Sequence, residues 1–100
     1  MIVCSGIITI DPAKAPLMAE LTAVLMAATQ AEDGNLTYEF SHSASDPGHW
    51  RVFEEWESDD AITAHMSTAH MAEFIGKMGD VGVTGASIDK YEVSAKSKLM

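Results

Sequence analysis

Two neighbouring stretches of this chain alternate with the period of two that marks a β-strand, and they constrain the fold more than any other feature. In residues 35–43, one face carries Leu36, Tyr38, Phe40 and His42. In residues 50–56, Trp50, Val52, Glu54 and Trp56 alternate with Arg51, Phe53 and Glu55. Between these stretches, residues 43–49 read SASDPGH, with Asp, Pro and Gly in the order that a tight reverse turn favours. The two stretches therefore predict a β-hairpin.

The first thirty residues predict one strand followed by one helix. Residues 2–10 are rich in β-branched side chains and apolar on both alternating sets, which predicts a strand covered on both faces. Asp11 and Pro12 are suited to the cap and first turn of a helix. The helix is predicted from Pro12 to Gln30, with a buried stripe that consists of Leu17, Leu21, Val24, Leu25 and Ala28.

The second half predicts a broken helix and a last strand. Ser58 can cap a helix whose first turn carries Asp59 and Asp60, where the helix dipole favours acids. Ser67 or Thr68 can cap a further helical segment after a break. Residues 86–93 predict a fourth strand, and residues 93–100 are expected to fray or to lie against a partner.

The order strand, helix, strand, strand, helix, strand predicts a single α+β domain with a ferredoxin-like βαββαβ arrangement. In this arrangement a four-stranded antiparallel sheet carries both helices on one face. The opposite face holds Val3, Ile7 and Phe53, which makes it too apolar for free exposure to water. We therefore expect two sheets to pack face to face in a homodimer.

Charge and composition restrict the partners. Six Lys and Arg against fifteen Asp and Glu leave a net charge of −9, which argues against nucleic acid and anionic membranes as partners. The chain has no apolar run long enough to span a membrane, and no basic residue precedes its first apolar run as in a signal peptide. The single cysteine, Cys4, cannot form an internal disulfide and suits a small apolar position in a strand. A cytoplasmic location is predicted.

Residues 32–74 contain an ordered set of features that resembles the signature of the antibiotic biosynthesis monooxygenase domain family. The matching residues are Asp33, Gly34, Tyr38, Glu39, Asp46, Pro47, Phe53, Glu54, Trp56, Glu57, Ser58, His65, His70 and Phe74. The resemblance implies a small dimeric α/β barrel, and the family includes quinol monooxygenases. It also implies oxygenation of a quinol or another electron-rich aromatic compound by dioxygen, without metal, flavin or haem.

The chemistry that the resemblance implies needs a base and an apolar pocket. His65 or His70 can accept a phenolic proton. The predicted walls of the pocket are Trp56, Tyr38, Met66, Met71 and Phe74. Glu54 lies on an apolar strand face and needs a partner, for which a histidine is one hypothesis. The two histidines are five positions apart, so they converge only if the helix breaks near Ser67 and Thr68.

Other interpretations stay open. Trp56 and Tyr38 equally suit core packing, and His65 equally suits a structural role. For His70, a structural hydrogen bond is favoured over a role in the site. No metal or cofactor is predicted, because the chain has no histidines at i and i+4, no second cysteine and no H-E-x-x-H motif. By the same resemblance, haem-degrading relatives carry Trp at the position of His65 and an axial His at that of Ile75, so both residues of this chain argue against haem degradation. An isomerase of small carbonyl compounds, or a ligand-binding protein without turnover, would use the same base and pocket.

Overall fold

The protein folds as one four-stranded antiparallel sheet with its helices packed on one face. The computed structural model describes residues 1–100. The strands are β1 (Ile2–Thr9), β2 (Asn35–Ser43), β3 (Asp46–Trp56) and β4 (Gly85–Glu92). The helices are α1 (Ala15–Gln30), preceded by a 3-10 turn at Pro12–Lys14, α2 (Asp59–Met66) and α3 (Ala69–Gly76). The strand order is β2-β3-β1-β4, which confirms the ferredoxin-like prediction.

Strand β1 supplies alternate residues to the core. Ile2, Cys4 and Ile8 are buried, whereas Val3 and Ile7 between them are only partly buried. The alternation arises because successive strand side chains point to opposite faces, and the helices of one chain cover only one of these faces. The sequence predicts that both faces of β1 are covered, but within a single chain only one face is.

The predicted hairpin of β2 and β3 is confirmed, but its turn lies earlier than expected. The turn occupies residues 44–45, and Asp46, Pro47 and Gly48 already belong to β3. The Ile10 amide donates to the Gly48 carbonyl at 2.9 Å, which holds this part of β3 against the chain that follows β1. The ladder shifts register between His42 and its neighbour, so a bulge takes up the extra residues.

The buried face of α1 differs from the predicted stripe by about one residue. The fully buried positions are Met18, Thr22, Leu25 and Thr29. Val24, predicted to be buried, is 66% exposed. A threonine faces the core here because the Thr22 hydroxyl donates to the Met18 carbonyl at 2.8 Å and so needs no water. The spacing of apolar residues does not reveal a buried threonine whose hydroxyl is hydrogen-bonded to the helix backbone.

The predicted caps of α2 and α3 are confirmed, whereas Asp11 caps the 3-10 turn at Pro12–Lys14 and α1 begins only at Ala15, without a side-chain cap. The Ser58 hydroxyl accepts from the Ala61 amide at 3.2 Å and begins α2. The Thr68 hydroxyl accepts from the Met71 amide at 3.3 Å and begins α3. No helix in the structure is long and apolar enough to cross a membrane.

The last eight residues form no helix or strand. The Val93 amide still donates to the Met1 carbonyl at 2.9 Å. Further along, Lys96 lies 3.2 Å from a carboxylate oxygen of Glu55 on the sheet face that carries no helix.

Replacing Gly6 by alanine is expected to lower the free energy of unfolding by about 1–3 kcal/mol, the usual cost of overpacking. Gly6 lies opposite Ile88 in the β1–β4 ladder. A Cβ at Gly6 would overlap the Ser87 carbonyl oxygen and the Ile88 Cα. Urea unfolding followed by tryptophan fluorescence measures the change.

The matched control is Gly76→Ala at the end of α3, where a new Cβ meets nothing within 4 Å. This variant should be neutral or more stable by up to about 1 kcal/mol, because alanine favours helix. If Gly6→Ala were as stable as the parent protein, the close approach of β4 to β1 would be wrong.

Candidate functional site

Glu32, His65 and His70 form a cluster in which one carboxylate oxygen meets two imidazoles. The Oε2 atom of Glu32 lies 2.8 Å from His65 Nδ1 and 2.8 Å from His70 Nε2. The side chains of His65, Glu32 and His70 are 3%, 14% and 23% exposed, respectively. The cluster therefore runs from the interior, at His65, to the surface, at His70.

The break between α2 and α3 brings the two histidines together. The Thr68 hydroxyl donates to the His65 carbonyl at 2.7 Å at the end of α2. It also accepts a hydrogen bond from the Met71 amide in the first turn of α3. The new helix starts in a new direction, so residues five apart can face one carboxylate. The predicted helix break near Ser67 and Thr68 is confirmed, and it meets the condition for His65 and His70 to converge.

Glu32 reaches the cluster from the turn that joins α1 to β2. Its amide donates to the Thr29 carbonyl at 2.9 Å, and its carbonyl accepts from the Asn35 amide at 3.3 Å. Glu32 is not among the site residues predicted from the sequence. The available signal was an acid in a turn directly before the strand that holds Tyr38.

The carboxylate determines which nitrogen of each ring is free. A carboxylate only accepts hydrogen bonds, so the facing nitrogens, His65 Nδ1 and His70 Nε2, carry the protons. The remaining nitrogens, His65 Nε2 and His70 Nδ1, are then proton acceptors. Neither makes a hydrogen bond within the chain.

Aromatic rings surround His65 on the interior side. Its ring centroid lies 4.9 Å from that of Trp56 and 5.3 Å from that of Tyr38. Trp56 and Tyr38 are themselves buried and meet edge to face at 6.3 Å. Phe40 and Phe74 continue the aromatic group, with centroids 5.7 Å apart. The structure thus brings the predicted Trp56, Tyr38 and Phe74 into one aromatic core beside the histidines.

Glu54 is buried in the same core but bonds to tryptophan rather than to histidine. The Trp56 indole N–H donates to Glu54 Oε1 at 2.9 Å. Burial raises the pKa of Glu54, while this hydrogen bond and the charge of His65 act in the opposite direction. The hypothesis that Glu54 pairs with a histidine is wrong, because Trp56 lies two residues along the same strand face and the histidines bind Glu32.

Two further groups in the core remain protonated at neutral pH. Burial, reinforced by the negative charge of Glu54, raises the pKa of the Cys4 thiol to about 11. Burial likewise raises the pKa of the Tyr38 hydroxyl above its usual value. Cys4 therefore behaves as the small apolar residue that the sequence predicts, and Tyr38 offers a hydroxyl rather than a phenolate.

A small pocket of ≈ 70 Å³ opens between α1 and α3 beside His70. Its lining consists of Leu21, Val24, Leu25, His70, Glu73, Phe74 and Lys77. A dry cavity that binds benzene is about 150 Å³, so this pocket must widen to admit an aromatic ring.

The predicted residues differ in their access to this pocket. His70 and Phe74 line it, whereas Trp56, Tyr38 and His65 lie behind it in the core. Met71 is buried, and Met66 is 56% exposed outside the pocket.

Glu32, His65 and His70 also present a set of metal-ligating atoms. The donor atoms of Glu32, His65 and His70 all lie within 4.8 Å of one another. Two imidazoles and one carboxylate are a donor set found in zinc and non-haem iron proteins. Because the helix breaks between His65 and His70, the absence of histidines at i and i+4 does not exclude a metal site here.

Comparisons with known proteins converge on one family. The model of the family described as antibiotic biosynthesis monooxygenase matches residues 1–77. The chain is 27% identical to “Putative monooxygenase YcnE” of Bacillus subtilis (strain 168), over 77% of this chain and 81% of that protein. It is 26% identical to “Uncharacterized protein sll1783” of Synechocystis sp., over 98% of this chain and 67% of that protein.

A solved structure matches the whole chain. A crystal structure of a “putative antibiotic biosynthesis monooxygenase” from Deinococcus radiodurans superposes with a TM-score of 0.91 at 27% identity. The match covers 100% of this chain and 99% of that one.

Glu54→Gln is expected to raise the melting temperature, relative to the parent protein, more at pH 7 than at pH 4. The folded-state pKa of Glu54 is raised, so its contribution to stability is present below the unfolded pKa and is lost as pH rises through the folded pKa. Glutamine keeps an oxygen for the Trp56 indole and does not ionise. Thermal unfolding at both pH values measures the difference.

Glu55→Gln is the matched control on the opposite face of β3. The Thr37 hydroxyl donates to Glu55 Oε1 at 2.6 Å, and this bond lowers the pKa of Glu55. Its contribution to stability is present above the unfolded pKa and is lost as pH falls through the folded pKa. The melting temperature of this variant, relative to the parent protein, should therefore fall from pH 4 to pH 7. If the relative melting temperatures of both variants changed in the same direction with pH, the opposite pKa shifts of Glu54 and Glu55 would be contradicted.

Proposed function

The chain belongs to the antibiotic biosynthesis monooxygenase family, and from this premise we propose that it oxidises a quinol or polycyclic phenol with dioxygen, without a cofactor. The family match and the name of the Bacillus relative support monooxygenase-like activity in general. The proposal of a quinol or phenol as substrate rests on His70. This histidine lines the pocket between α1 and α3 and is hydrogen-bonded to Glu32.

His70 is the base in this proposal because it is the histidine that lines the pocket. Glu32 binds its Nε2–H, so Nδ1 is left as the proton acceptor. Glu32 also stabilises the imidazolium that forms when Nδ1 takes a proton. His65 holds Glu32 from the other side at 2.8 Å and restricts its rotation. The cluster therefore resembles a positioned base with its orienting acid.

The proposed reaction needs only the substrate, dioxygen and this base. His70 removes a proton from the phenol or from an activated ring CH₂, and the resulting anion gives one electron to dioxygen. The radical and superoxide combine to form a carbon–oxygen bond, and the peroxide takes the proton back from His70. Loss of the second hydrogen from that carbon as a proton breaks the O–O bond. One oxygen atom stays in the product as a carbonyl and the other leaves as water.

The apolar surroundings suit a substrate of this class. Phe74, Leu21 and Leu25 supply an apolar wall next to His70. Such a wall excludes water from the anion and from superoxide. Because the pocket is ≈ 70 Å³, α1 and α3 must separate when an aromatic ring enters. Direct contact of the substrate with Trp56, Tyr38 or His65 requires a deeper opening of the core.

His70→Ala is expected to lower the rate of oxygen uptake by about 10²–10⁴-fold, the usual contribution of a general base. The assay uses metal-free protein with hydroquinones and anthrone-type phenols, each compared with autoxidation in the absence of protein. Uptake by the parent protein should be insensitive to a chelator. His42→Ala is the matched control, because His42 is exposed on the hairpin and bonds only to its neighbour's carbonyl.

Unchanged uptake in a folded His70→Ala variant would remove His70 as the base. Absence of uptake with every substrate would contradict the oxygenase proposal itself. In that case, a thermal shift caused by one of these compounds would favour an isomerase or a binding protein built on the same pocket.

We further propose that the protein acts as a homodimer in the cytoplasm. Phe53 is 38% exposed on the sheet face that carries no helix, and Val3 and Ile7 beside it are half-buried. A second sheet would cover these side chains. The cytoplasmic location is supported by the single free cysteine, Cys4.

Phe53→Asp is expected to convert the dimer to a monomer, because it places a charge in the proposed interface. Light scattering at micromolar protein concentration measures the mass. Ile75→Asp is the matched control, since Ile75 is also exposed but lies on α3. A monomeric parent protein would rule out the dimer, and equal dissociation by both variants would argue against this sheet face as the interface.

A further inference from the structure

We infer that Glu32, His65 and His70 bind a divalent transition-metal ion of the zinc class, and that the bound ion blocks proton transfer at His70. The metal site itself goes beyond the proposed function. The inhibition of proton transfer by the ion rests on the proposed function, in which His70 is the base. Two ring nitrogens point at one oxygen atom from 2.8 Å each, so their lone-pair directions meet at a single point once the protons are removed.

The coordination requires only a small rearrangement. Ligands at 2.0–2.1 Å from a tetrahedral zinc ion are roughly 3.3 Å apart. An ion bound by both nitrogens would lie close to the present position of Glu32 Oε2. Glu32 must therefore withdraw by about the length of one metal–oxygen bond, roughly 2 Å. Its side chain can do so because it is 14% exposed and extends from a turn rather than from inside a helix.

The site also has an open side. His70 lines the pocket of ≈ 70 Å³ between α1 and α3. This volume exceeds the roughly 30 Å³ that one water molecule occupies in the liquid. The His70 side chain is also 23% exposed, so an ion can reach the cluster from this side and water can supply a fourth ligand. Three protein ligands with an exchangeable fourth position are a common zinc arrangement.

Charge and donor type select the class of ion. The net charge of the chain is −9, which raises the concentration of cations around it. Two imidazole nitrogens favour Zn²⁺, Co²⁺ or Ni²⁺ over Mg²⁺ and Ca²⁺, which prefer sites built from oxygen.

The ion and the proposed base compete for the same ring. When His70 Nε2 binds a metal as a neutral imidazole, its proton moves to Nδ1. When His65 Nδ1 binds the metal, the ring proton of His65 moves from Nδ1 to Nε2. No electron is transferred and no proton needs to leave the protein. The nitrogen that should accept the substrate proton is then already protonated, so oxygen uptake should stop when the ion binds.

The decisive experiment is a calorimetric titration of metal-free protein with Zn²⁺, together with absorption spectra of the Co²⁺ form. We expect one ion per chain, a visible Co²⁺ band of tetrahedral intensity and a higher melting temperature that a chelator reverses. Mg²⁺ should produce none of these changes. His70→Ala and Glu32→Gln should weaken Zn²⁺ binding at least tenfold, whereas the surface variant His42→Ala should bind as the parent protein does.

The outcomes separate the metal site from the proposed function. No binding by the parent protein, or equal affinity in His70→Ala, would overturn the site. A zinc-bound protein that consumes oxygen as fast as the metal-free form would overturn the block while leaving the site intact. If the metal-free protein shows no oxygen uptake, the proposed function fails and the titration still decides the site.

Discussion

The Thr68 hydroxyl makes the hydrogen bonds on which the arrangement of the site depends. It donates to the last turn of α2 at the His65 carbonyl and accepts from the first turn of α3 at the Met71 amide. One side chain therefore ends one helix and begins the next. Without this change of direction, His65 and His70 would lie on different faces of a single helix and could not share Glu32.

The members of the cluster of Glu32, His65 and His70 differ in exposure. His65 is packed against Trp56 and Tyr38, and this packing fixes the inner end of the cluster. His70 borders the pocket between α1 and α3 and is the member that a small molecule can reach. Glu32 connects the two through one oxygen atom. Packing holds the inner histidine, the outer one is accessible, and the mostly buried carboxylate between them makes a hydrogen bond to each.

The buried polar row beneath the cluster has a cost in stability. Cys4 and Tyr38 lie on the strands flanking Glu54 and pair with it in the sheet register. Burial raises the pKa of all three groups. The indole of Trp56 offsets part of the cost for Glu54 by donating a hydrogen bond. A protein selected for stability alone would place apolar residues here, so this row is consistent with a functional constraint on the core.

The sequence by itself determined the parts of the fold that depend on neighbouring residues. The alternation in β2 and β3, the caps at Ser58 and Thr68 and the order of elements were all predictable, because their causes act within a few residues. Only the tertiary structure decided the partners in the site. Glu32 meets His65 and His70 across 33 and 38 residues of chain, and the partner of a buried carboxylate depends on which side chains the packed helices bring within 3 Å. Periodicity specifies a face of a helix or strand, but the contact across that face is a property of the whole fold.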